Sequence, residues 1–520
     1  MQGTESPVPV TSMSRTKAAL RNTLATGAYQ IAAMLLGFLT PRLMMAYYGS
    51  EINGLVASIT EFMGYFKLVE AGLAAAAIYG LYKPLSENDH AKVSAIVSAA
   101  RRFYQASGAL FAGITLVFSV VYPLVVPVSS LSPLSVGILV AVMGLSGTLE
   151  FFTLSRYRVL LTADQKTYVV SLASMASLVL QTAVIVALSL LKADIVLLRL
   201  LAGLTILLRS LVLWAYVRRH YPYVDYKAAP DRAPLHRRWD ALYQQLTVTL
   251  HQGMGIILTT LITRDAKLIS VYGTYHLVTV GLWGILKMAS TGLYASFGDL
   301  IARGETDSFR RAYREYEFLF LSMITVLYSV SMALIVPFVR LYTRGIQDVS
   351  YVVPILGVLL TLEGLTDQIK APLDLMVISA GKFRETRHHN TLQVALGFSL
   401  GLGLGLAFGL PGIAAGILLS NLTRVGIQLW FVPRAITGLP FTGTLRRMAR
   451  VLVTGGLICL PFLLRPLDPP RFALWIAYAA ALTLYAALVT ACAGWLLDRG
   501  QMRAVGARIR HLLKRREGQS

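Results

Sequence analysis

The 520-residue chain is 55% hydrophobic and 14% charged, with a mean hydropathy of +0.61. Soluble domains carry about 25% charged residues, so this composition excludes an ordinary soluble domain and predicts a membrane protein. Its two cysteines, Cys459 and Cys492, both lie in apolar runs; we expect two small core residues, with no disulfide framework and no metal site. The residues before Arg15 are polar, so we expect no cleavable signal peptide.

Apolar runs of about 20 residues, the length that crosses a bilayer, predict fourteen transmembrane helices. Their centres lie near residues 35, 68, 113, 145, 180, 206, 254, 285, 326, 365, 400, 423, 456 and 484. With the N-terminus in the cytoplasm, the inner loops and tails hold 34 of the 48 Lys and Arg, and the outer loops hold 7. This asymmetry places both termini in the cytoplasm. The net charge of +22 therefore predicts contact with anionic inner-leaflet lipids rather than with nucleic acid.

Charged residues interrupt the first six predicted helices. Lys67 lies near mid-membrane on helix 2, where a charge costs roughly 2.5–3.5 kcal/mol unless it faces a cavity or a partner. Glu70, three residues further along, is close enough to pair with it locally. The other main charged residues within the helices of this half are Arg42 near the outer end of helix 1, Glu61 on helix 2, Glu150 on helix 4 and Arg209 on helix 6.

The next six helices carry a second set of charges. Lys287 on helix 8 reaches a depth comparable to that of Lys67, and Arg424 lies deep in helix 12. The lone histidines His251 and His276 favour polar core contacts over proton transfer. Helix 10 places four charged residues on a stripe about 60° wide, which cannot face lipid. The stripe, either a buried polar network or a proton or cation relay, comprises Glu363, Asp367, Lys370 and Asp374.

An internal repeat relates these two sets of helices. FKLVEAGLAAA (66–76) is echoed by LKMASTGLYAS (286–296), so Lys67 corresponds to Lys287. We also align AYYGS with SVYGT at the end of helices 1 and 7, and VVP with IVP at the end of helices 3 and 9. Offsets of 210–224 residues place Glu150 opposite Asp367. Because each repeat holds an even number of helices, the repeat is parallel, as in transporters with a substrate site between two halves.

The predicted fold class is therefore an all-α polytopic membrane protein with two six-helix lobes and two C-terminal helices. The predicted divisions are an N-terminal lobe (1–217), a basic cytoplasmic linker (218–240), a C-terminal lobe (241–440), and helices 13 and 14 with a basic tail (441–520).

The segments INGLVASITEFMGYFKLVEAGLAAAAIYGLYKPL, LDLMVISAGKFRET and GLPGIAAGILLSNLTRV resemble polysaccharide exporters of the multidrug/oligosaccharidyl-lipid/polysaccharide (MOP) superfamily. The resemblance covers roughly residues 20–440 and is strongest to the Wzx-type flippases. It implies a bacterial inner-membrane protein that moves undecaprenyl-pyrophosphate-linked oligosaccharides to the outer leaflet by alternating access. Polysaccharide assembly proteins are the further partners that it implies.

In that family helices 1, 2, 7 and 8 line a central cavity, and the resemblance therefore places both repeated lysines in its wall. We expect Lys67, Lys287 and Arg42 to bind the pyrophosphate. Coupling or structural pairing is expected of Glu61, Glu70, Glu150 and the helix 10 stripe. The sugars are expected to meet the polar and aromatic residues Gln30, Asn53, Tyr65, Gln252, Trp283 and Tyr294.

Two alternative functions are left open by the sequence. The carboxylates of helix 10 suit a drug or cation antiporter of the same superfamily, whereas the paired lysines argue against one. A membrane polymerase or transferase acting on glycans is disfavoured because no outer loop looks longer than about fifteen residues. We therefore expect a transporter that is not an enzyme and has no catalytic residues and no cofactor. A proton, sodium or the membrane potential is expected to drive it.

Overall fold

The structure, a computed structural model, describes residues 12–70, 73–231, 238–290 and 293–507. Within these ranges the chain is all-α, and ten of its helices are long and apolar enough to cross a membrane. Side chains such as Leu124 and Leu134, which are 79% and 74% exposed, present apolar surface on the outside of the helices. Such surface is stable only in contact with lipid, so the chain is a multi-pass membrane protein.

Sixteen segments of α-helix and one short 3₁₀ turn follow the predicted order up to residue 464, and a last long helix comes after them. In the first half of the chain these are α1 (Ser12–Phe66), a 3₁₀ turn (Lys67–Glu70), α2 (Leu73–Ser86), α3 (His90–Val125), α4 (Pro133–Thr153), α5 (Ser155–Ala163), α6 (Thr167–Leu190), α7 (Ile195–Leu204) and α8 (Ile206–His220).

The second half begins with α9 (Arg238–Thr263), α10 (Ala266–Ser290), α11 (Leu293–Ala302), α12 (Thr306–Tyr342), α13 (Pro354–Ile369) and α14 (Ala371–Ser379). It continues with α15 (Phe383–Val432), which runs into a π-helical turn (Pro433–Thr437), and ends with α16 (Phe441–Leu464) and α17 (Phe472–Leu497).

Local sequence signals set several helix starts and bends. Asp89 caps α3 by accepting a hydrogen bond from the backbone N–H of Lys92 at 2.9 Å, and Asp194 caps α7 in the same way. Gly49 (φ 84°) and Gly409 (φ 63°) adopt left-handed backbone conformations inside α1 and α15, so each of these helices is divided into two segments.

The described helices form fourteen segments when α1 and α15 are each divided at their glycine and helices separated only by a short break are counted together. Each predicted centre falls within one of them. Two predicted helix ends are wrong. SVYGT lies in the first turns of α10 rather than at the end of helix 7, and α12 continues through Pro337 to Tyr342 rather than ending at IVP. The helix preceding Pro337 loses one hydrogen bond there without stopping.

The described chain divides into two compact units. Unit 1 comprises Met1–Tyr48 and Ile59–Thr249, and unit 2 comprises Gly49–Ser58 and Leu250–Ser520. Residues 49–58 belong to unit 2 because they are tied into it by polar contacts. Asp348 accepts hydrogen bonds from the backbone N–H and hydroxyl of Ser50 at 2.8 and 2.6 Å, and Asn53 donates to Ser270 at 2.7 Å.

The two cysteines differ in their surroundings. Cys459 is buried in α16, as expected, whereas Cys492 is exposed on α17, so the prediction of a core position for it is wrong. An apolar run gives no direction for a single small residue, because both the lipid-facing and the protein-facing sides of such a helix are apolar.

Candidate functional site

Unit 1 contains a cluster of charged side chains at the break between α4 and α5. The ammonium of Lys67 lies 2.8 Å from Glu150 Oε2, while guanidinium nitrogens of Arg158 and Arg209 lie 3.6 and 3.8 Å from Glu150 Oε1. Arg158 also donates to Glu70 at 3.3 Å. Three cations thus surround two carboxylates, and the excess positive charge suits an anionic ligand. We name these five residues the basic cluster.

Local structure brings Lys67 to Glu150. Lys67 begins the 3₁₀ turn that follows α1, instead of lying in the middle of a regular helix as predicted. Its side chain passes over Gly147, where an added Cβ would come within 3.4 Å of Lys67 Cε and 2.7 Å of the Phe111 ring. The missing side chain of Gly147 therefore leaves room for the lysine stem. Glu150 itself lies in the last turn of α4, before the break at Leu154.

The expected local pair between Lys67 and Glu70 is replaced by longer-range pairs. Lys67 pairs with Glu150 of α4, and Glu70 pairs with Arg158 of α5. A 3₁₀ turn places residues three apart on one face with short separation, but the α4–α5 break offers both side chains a partner in a less exposed position.

Unit 2 contains a second cluster at the corresponding break, between α13 and α14. The ammonium of Lys370 lies 2.7 Å from Asp367 Oδ1 and 3.2 Å from Asp374 Oδ2. His251 Nε2 lies 3.4 Å from Asp367 Oδ1, and Arg424 Nη2 lies 3.4 Å from Asp374 Oδ1. Three of the four residues of the predicted stripe therefore meet in one ion-pair network. We name it, together with Glu363, the acidic cluster.

Amide side chains extend the acidic cluster. Gln428 donates to Asp374 at 2.6 Å, and Asn421 donates to Glu363 at 3.3 Å. Gln393 in turn donates to Asn421 at 2.8 Å, and both of these residues are buried. A buried carboxylate needs such donors, because its lone pairs would otherwise be stripped of water without replacement.

The repeated lysines have different surroundings. Lys67 binds Glu150, whereas Asp367, the carboxylate that the repeat places opposite Glu150, is held by Lys370 and His251. The ammonium of Lys287 lies 4.7 Å from the centroid of the Trp283 ring, a cation–π contact. Lys287 also lies in the last turn of α10, close to where the described helix ends at Ser290.

The remaining predicted site residues are dispersed. Asn53 is buried in the polar contacts of residues 49–58, and Gln252 is exposed on α9. Glu61 is half-buried in α1 and has no ion-pair partner in the part of the chain that the structure describes. The other four are partly buried on α1 or α11: Gln30, Arg42, Tyr65 and Tyr294. The binding roles of these residues stay predictions.

Arg158, Asn421 and Gln428 were not predicted as site residues. Arg158 follows the apolar run of helix 4, a position that is typical of the many cations in the inner loops. The repeat contained a usable signal, because an offset of 216 places Arg158 opposite Asp374, a position whose charge is reversed between the halves. Asn421 and Gln428 lie on α15 and are fully buried. Their burial cannot be predicted from the sequence, in which each is a single polar residue in an apolar run.

The fold is similar to that of solved transporters of the MOP superfamily. The lipid II flippase MurJ, in an inward closed conformation, superimposes with a TM-score of 0.68 at 12% identity, covering 91% of this chain and 99% of that one. An inward-facing multidrug resistance MATE transporter gives a TM-score of 0.62 at 13% identity, covering 83% of this chain and 99% of that one.

A MOP-superfamily transporter from Pyrococcus furiosus, described as having a binding pocket of reverse polarity, is also similar. Its TM-score is 0.56 at 13% identity, with 84% of this chain and 96% of that one covered. No protein-family profile and no curated protein matches the chain. At these identities the likeness establishes the fold, and these neighbours are transporters rather than enzymes.

Proposed function

We propose that the protein is a flippase that moves a lipid-linked oligosaccharide carrying a pyrophosphate from the inner to the outer leaflet by alternating access. The observation that carries this proposal is the basic cluster. Three cations converge at a helix break inside a transporter fold, where the surrounding lipid makes any unneeded charge costly. Broken helices at membrane depth are where secondary transporters bind charged ligands.

A pyrophosphate loses its hydration when it enters the membrane. Charge-assisted hydrogen bonds from Lys67, Arg158 and Arg209 would replace the lost water, and guanidinium groups suit phosphate because they donate two parallel bonds. The isoprenoid tail would stay in lipid, since moving it through a polar path has no compensating contact. The role of Lys287 and Arg42 as further phosphate contacts stays a prediction.

The membrane and the partners of the protein are part of the same proposal. The protein would act in a bacterial inner membrane, with its basic cytoplasmic stretches on anionic lipids and with polysaccharide assembly proteins as partners. Aromatic and basic side chains interleave at the predicted inner ends of the unit 1 helices. Arg21 lies 3.6 Å from the centroid of Tyr168, and Lys166 lies 4.7 Å from that of Tyr221, an arrangement suited to the headgroup level.

We also propose that the acidic cluster couples transport to the membrane potential. Lys370 already sits between Asp367 and Asp374, where a mobile cation would otherwise bind. The cluster therefore has a resident counter-ion, and Asp367 is the carboxylate whose pairing would change during the cycle. Proton coupling through His251 and Asp367 is the other arrangement that these contacts suit.

The test of the flippase proposal uses proteoliposomes that contain the purified protein and a labelled lipid-diphosphate oligosaccharide. Protein-dependent appearance of the label in the outer leaflet supports the proposal, and its absence in liposomes with wild-type protein contradicts it. In a deletion strain, lipid-linked intermediates should accumulate on the inner leaflet and return to normal on complementation.

A drug or cation antiporter is the second candidate, and the acidic cluster together with the MATE neighbours favours it. An antiporter would take up or expel cationic dyes in the same proteoliposomes when an ion gradient is imposed. Dye movement without movement of the lipid-diphosphate sugar would replace the first proposal by this one.

A further inference from the structure

Glu150 holds three cations with only two oxygens. One of its contacts, with Lys67 at 2.8 Å, is a direct charge-assisted hydrogen bond. The guanidinium nitrogens of Arg158 and Arg209 are 3.6 and 3.8 Å away, beyond the distance of a good hydrogen bond. The carboxylate therefore offsets part of the positive charge around it without saturating the donors of the two arginines.

Unused hydrogen-bonding capacity is visible in the same place. Arg209 Nε is buried and lacks a hydrogen-bond partner within the described ranges. A buried N–H without a partner is unfavourable, so the donors of the basic cluster are incompletely satisfied in this state. A ligand with more acceptor oxygens than a carboxylate would satisfy more of these donors.

A diphosphate has that chemistry. It carries more negative charge than a carboxylate and more acceptor oxygens, spread over two phosphorus centres. The side chains of Arg158 and Arg209 are only 29% and 17% exposed, so exchanging one anion for another avoids most of the cost of desolvating these two cations again. Only Glu150 must move, and it lies in the last turn of α4 beside the break at Leu154, where its side chain can rotate away.

We propose that Glu150 is an internal counter-anion that occupies the diphosphate position of the empty site and is displaced when substrate binds. This inference rests on the proposed function, because it assigns a role to one residue of the site for the lipid diphosphate. Displacement also provides a way to release the substrate at the end of the transport cycle. The carboxylate of Glu150, on returning, competes with the bound phosphate for Lys67, Arg158 and Arg209.

The first arm of the experiment measures binding of inorganic pyrophosphate to the purified full-length protein in detergent. Glu150→Gln removes the competing charge with little change in shape, so pyrophosphate should bind it about tenfold tighter, or more, than it binds the wild type. Glu87→Gln is the matched control. It makes the same carboxylate-to-amide change at an exposed residue of unit 1 that pairs with Lys83 outside the basic cluster, and pyrophosphate affinity should stay at the wild-type value.

Affinity in Glu150→Gln equal to or weaker than that of the wild type would overturn the inference, and so would an equal gain in Glu87→Gln. Should Glu150→Gln fold poorly, Glu150→Asp serves instead, because it keeps the charge but draws it back by one methylene. It should also bind pyrophosphate more tightly than the wild type, and an unchanged affinity would again contradict displacement.

A second arm uses vesicles that contain a short-chain polyprenyl diphosphate. A matching gain in Glu150→Gln supports displacement by the lipid headgroup, whereas a gain for inorganic pyrophosphate alone overturns the assignment to a lipid. The flipping assay separates the two proposals. Flipping by the wild type with no gain in Glu150→Gln defeats the inference alone, and tighter binding without any flipping defeats the proposed function.

Discussion

At the scale of single residues, the two charge clusters have opposite charge arrangements at corresponding positions of the two halves. Each lies at a break in the fourth helix of its half, at Leu154 and at Lys370, which are 216 residues apart. In unit 1 a carboxylate is surrounded by cations, and in unit 2 an ammonium is surrounded by carboxylates. The same backbone interruption thus presents an anion position in one half and a cation position in the other.

We expect Lys67→Ala to lose most of its export activity and Lys67→Arg to keep part of it. The alanine variant removes the 2.8 Å hydrogen bond that Lys67 donates to the carboxylate of Glu150, while arginine keeps the charge with a different geometry. Export is measured as polysaccharide at the cell surface in a deletion strain, normalised to protein level. Lys83→Ala, at a lysine side chain 79% exposed, is the control that should export normally. Normal export by Lys67→Ala would remove Lys67 from the site.

Removing the resident cation of the acidic cluster should open that cluster to sodium. In Lys370→Ala, Asp367 and Asp374 lose their shared partner, so we expect a loss of about 3–5 kcal/mol in stability. Added sodium should then raise the melting temperature of this variant but leave that of the wild type unchanged.

The control for this change is Lys382→Ala, which breaks an exposed pair with Glu385 and should leave the stability nearly unchanged. Differential scanning fluorimetry in sodium and in choline salts distinguishes the outcomes. Equal sodium stabilisation of wild type and Lys370→Ala would show that Lys370 does not fill the cation position.

At the scale of secondary-structure elements, glycine allows the two segments of α15 to pack closely on either side of the kink at Gly409. A Cβ at Gly416 would come within 2.4 Å of the backbone nitrogen of Gly401, and a Cβ at Gly412 within 1.9 Å of the carbonyl oxygen of Leu404. Backbones that approach this closely hold membrane helices together through van der Waals packing, because lipid offers no hydrophobic driving force between helices.

Gly416→Ala should therefore destabilise the protein by about 1–3 kcal/mol, because backbone cannot move aside as a flexible side chain can. Gly403→Ala is its control on the same helix, as an added Cβ there meets nothing within 4 Å. That variant should be neutral or slightly stabilised, since alanine is the better helix former. Comparable melting temperatures for the two variants would contradict close packing at Gly416.

At the scale of the whole molecule, transport of a diphosphate moves negative charge toward the outside of the membrane. A negative-inside potential favours this step by about 2.3 kcal/mol per charge per 100 mV. Lys370 and Arg424 offset two of the three carboxylate charges of the acidic cluster without any exchange of sodium. The net charge of the clusters, rather than a bound ion, would then link transport to the potential.

We expect flipping in proteoliposomes to speed up when valinomycin and potassium impose a negative-inside potential, and to be unaffected by a sodium gradient at constant potential. Asp367→Asn should slow flipping, because it removes the carboxylate that pairs with both Lys370 and His251. Should only a pH gradient change the rate, protons moving through His251 and Asp367 would replace the potential as the driving force.

The sequence by itself determined the fourteen helical segments and the shared face of the helix 10 charges, because segment length and a 3.6-residue period are local properties of the chain. The tertiary structure decided which charges pair. Lys67 and Glu150 are 83 residues apart, and the tertiary contact of the Lys67 side chain with Gly147 and Glu150 of α4 replaces pairing with the nearer Glu70. Lys370 likewise reaches Asp374 across a helix break that periodicity alone does not locate. Ion pairing depends on distances of a few ångströms between elements, which no local pattern specifies.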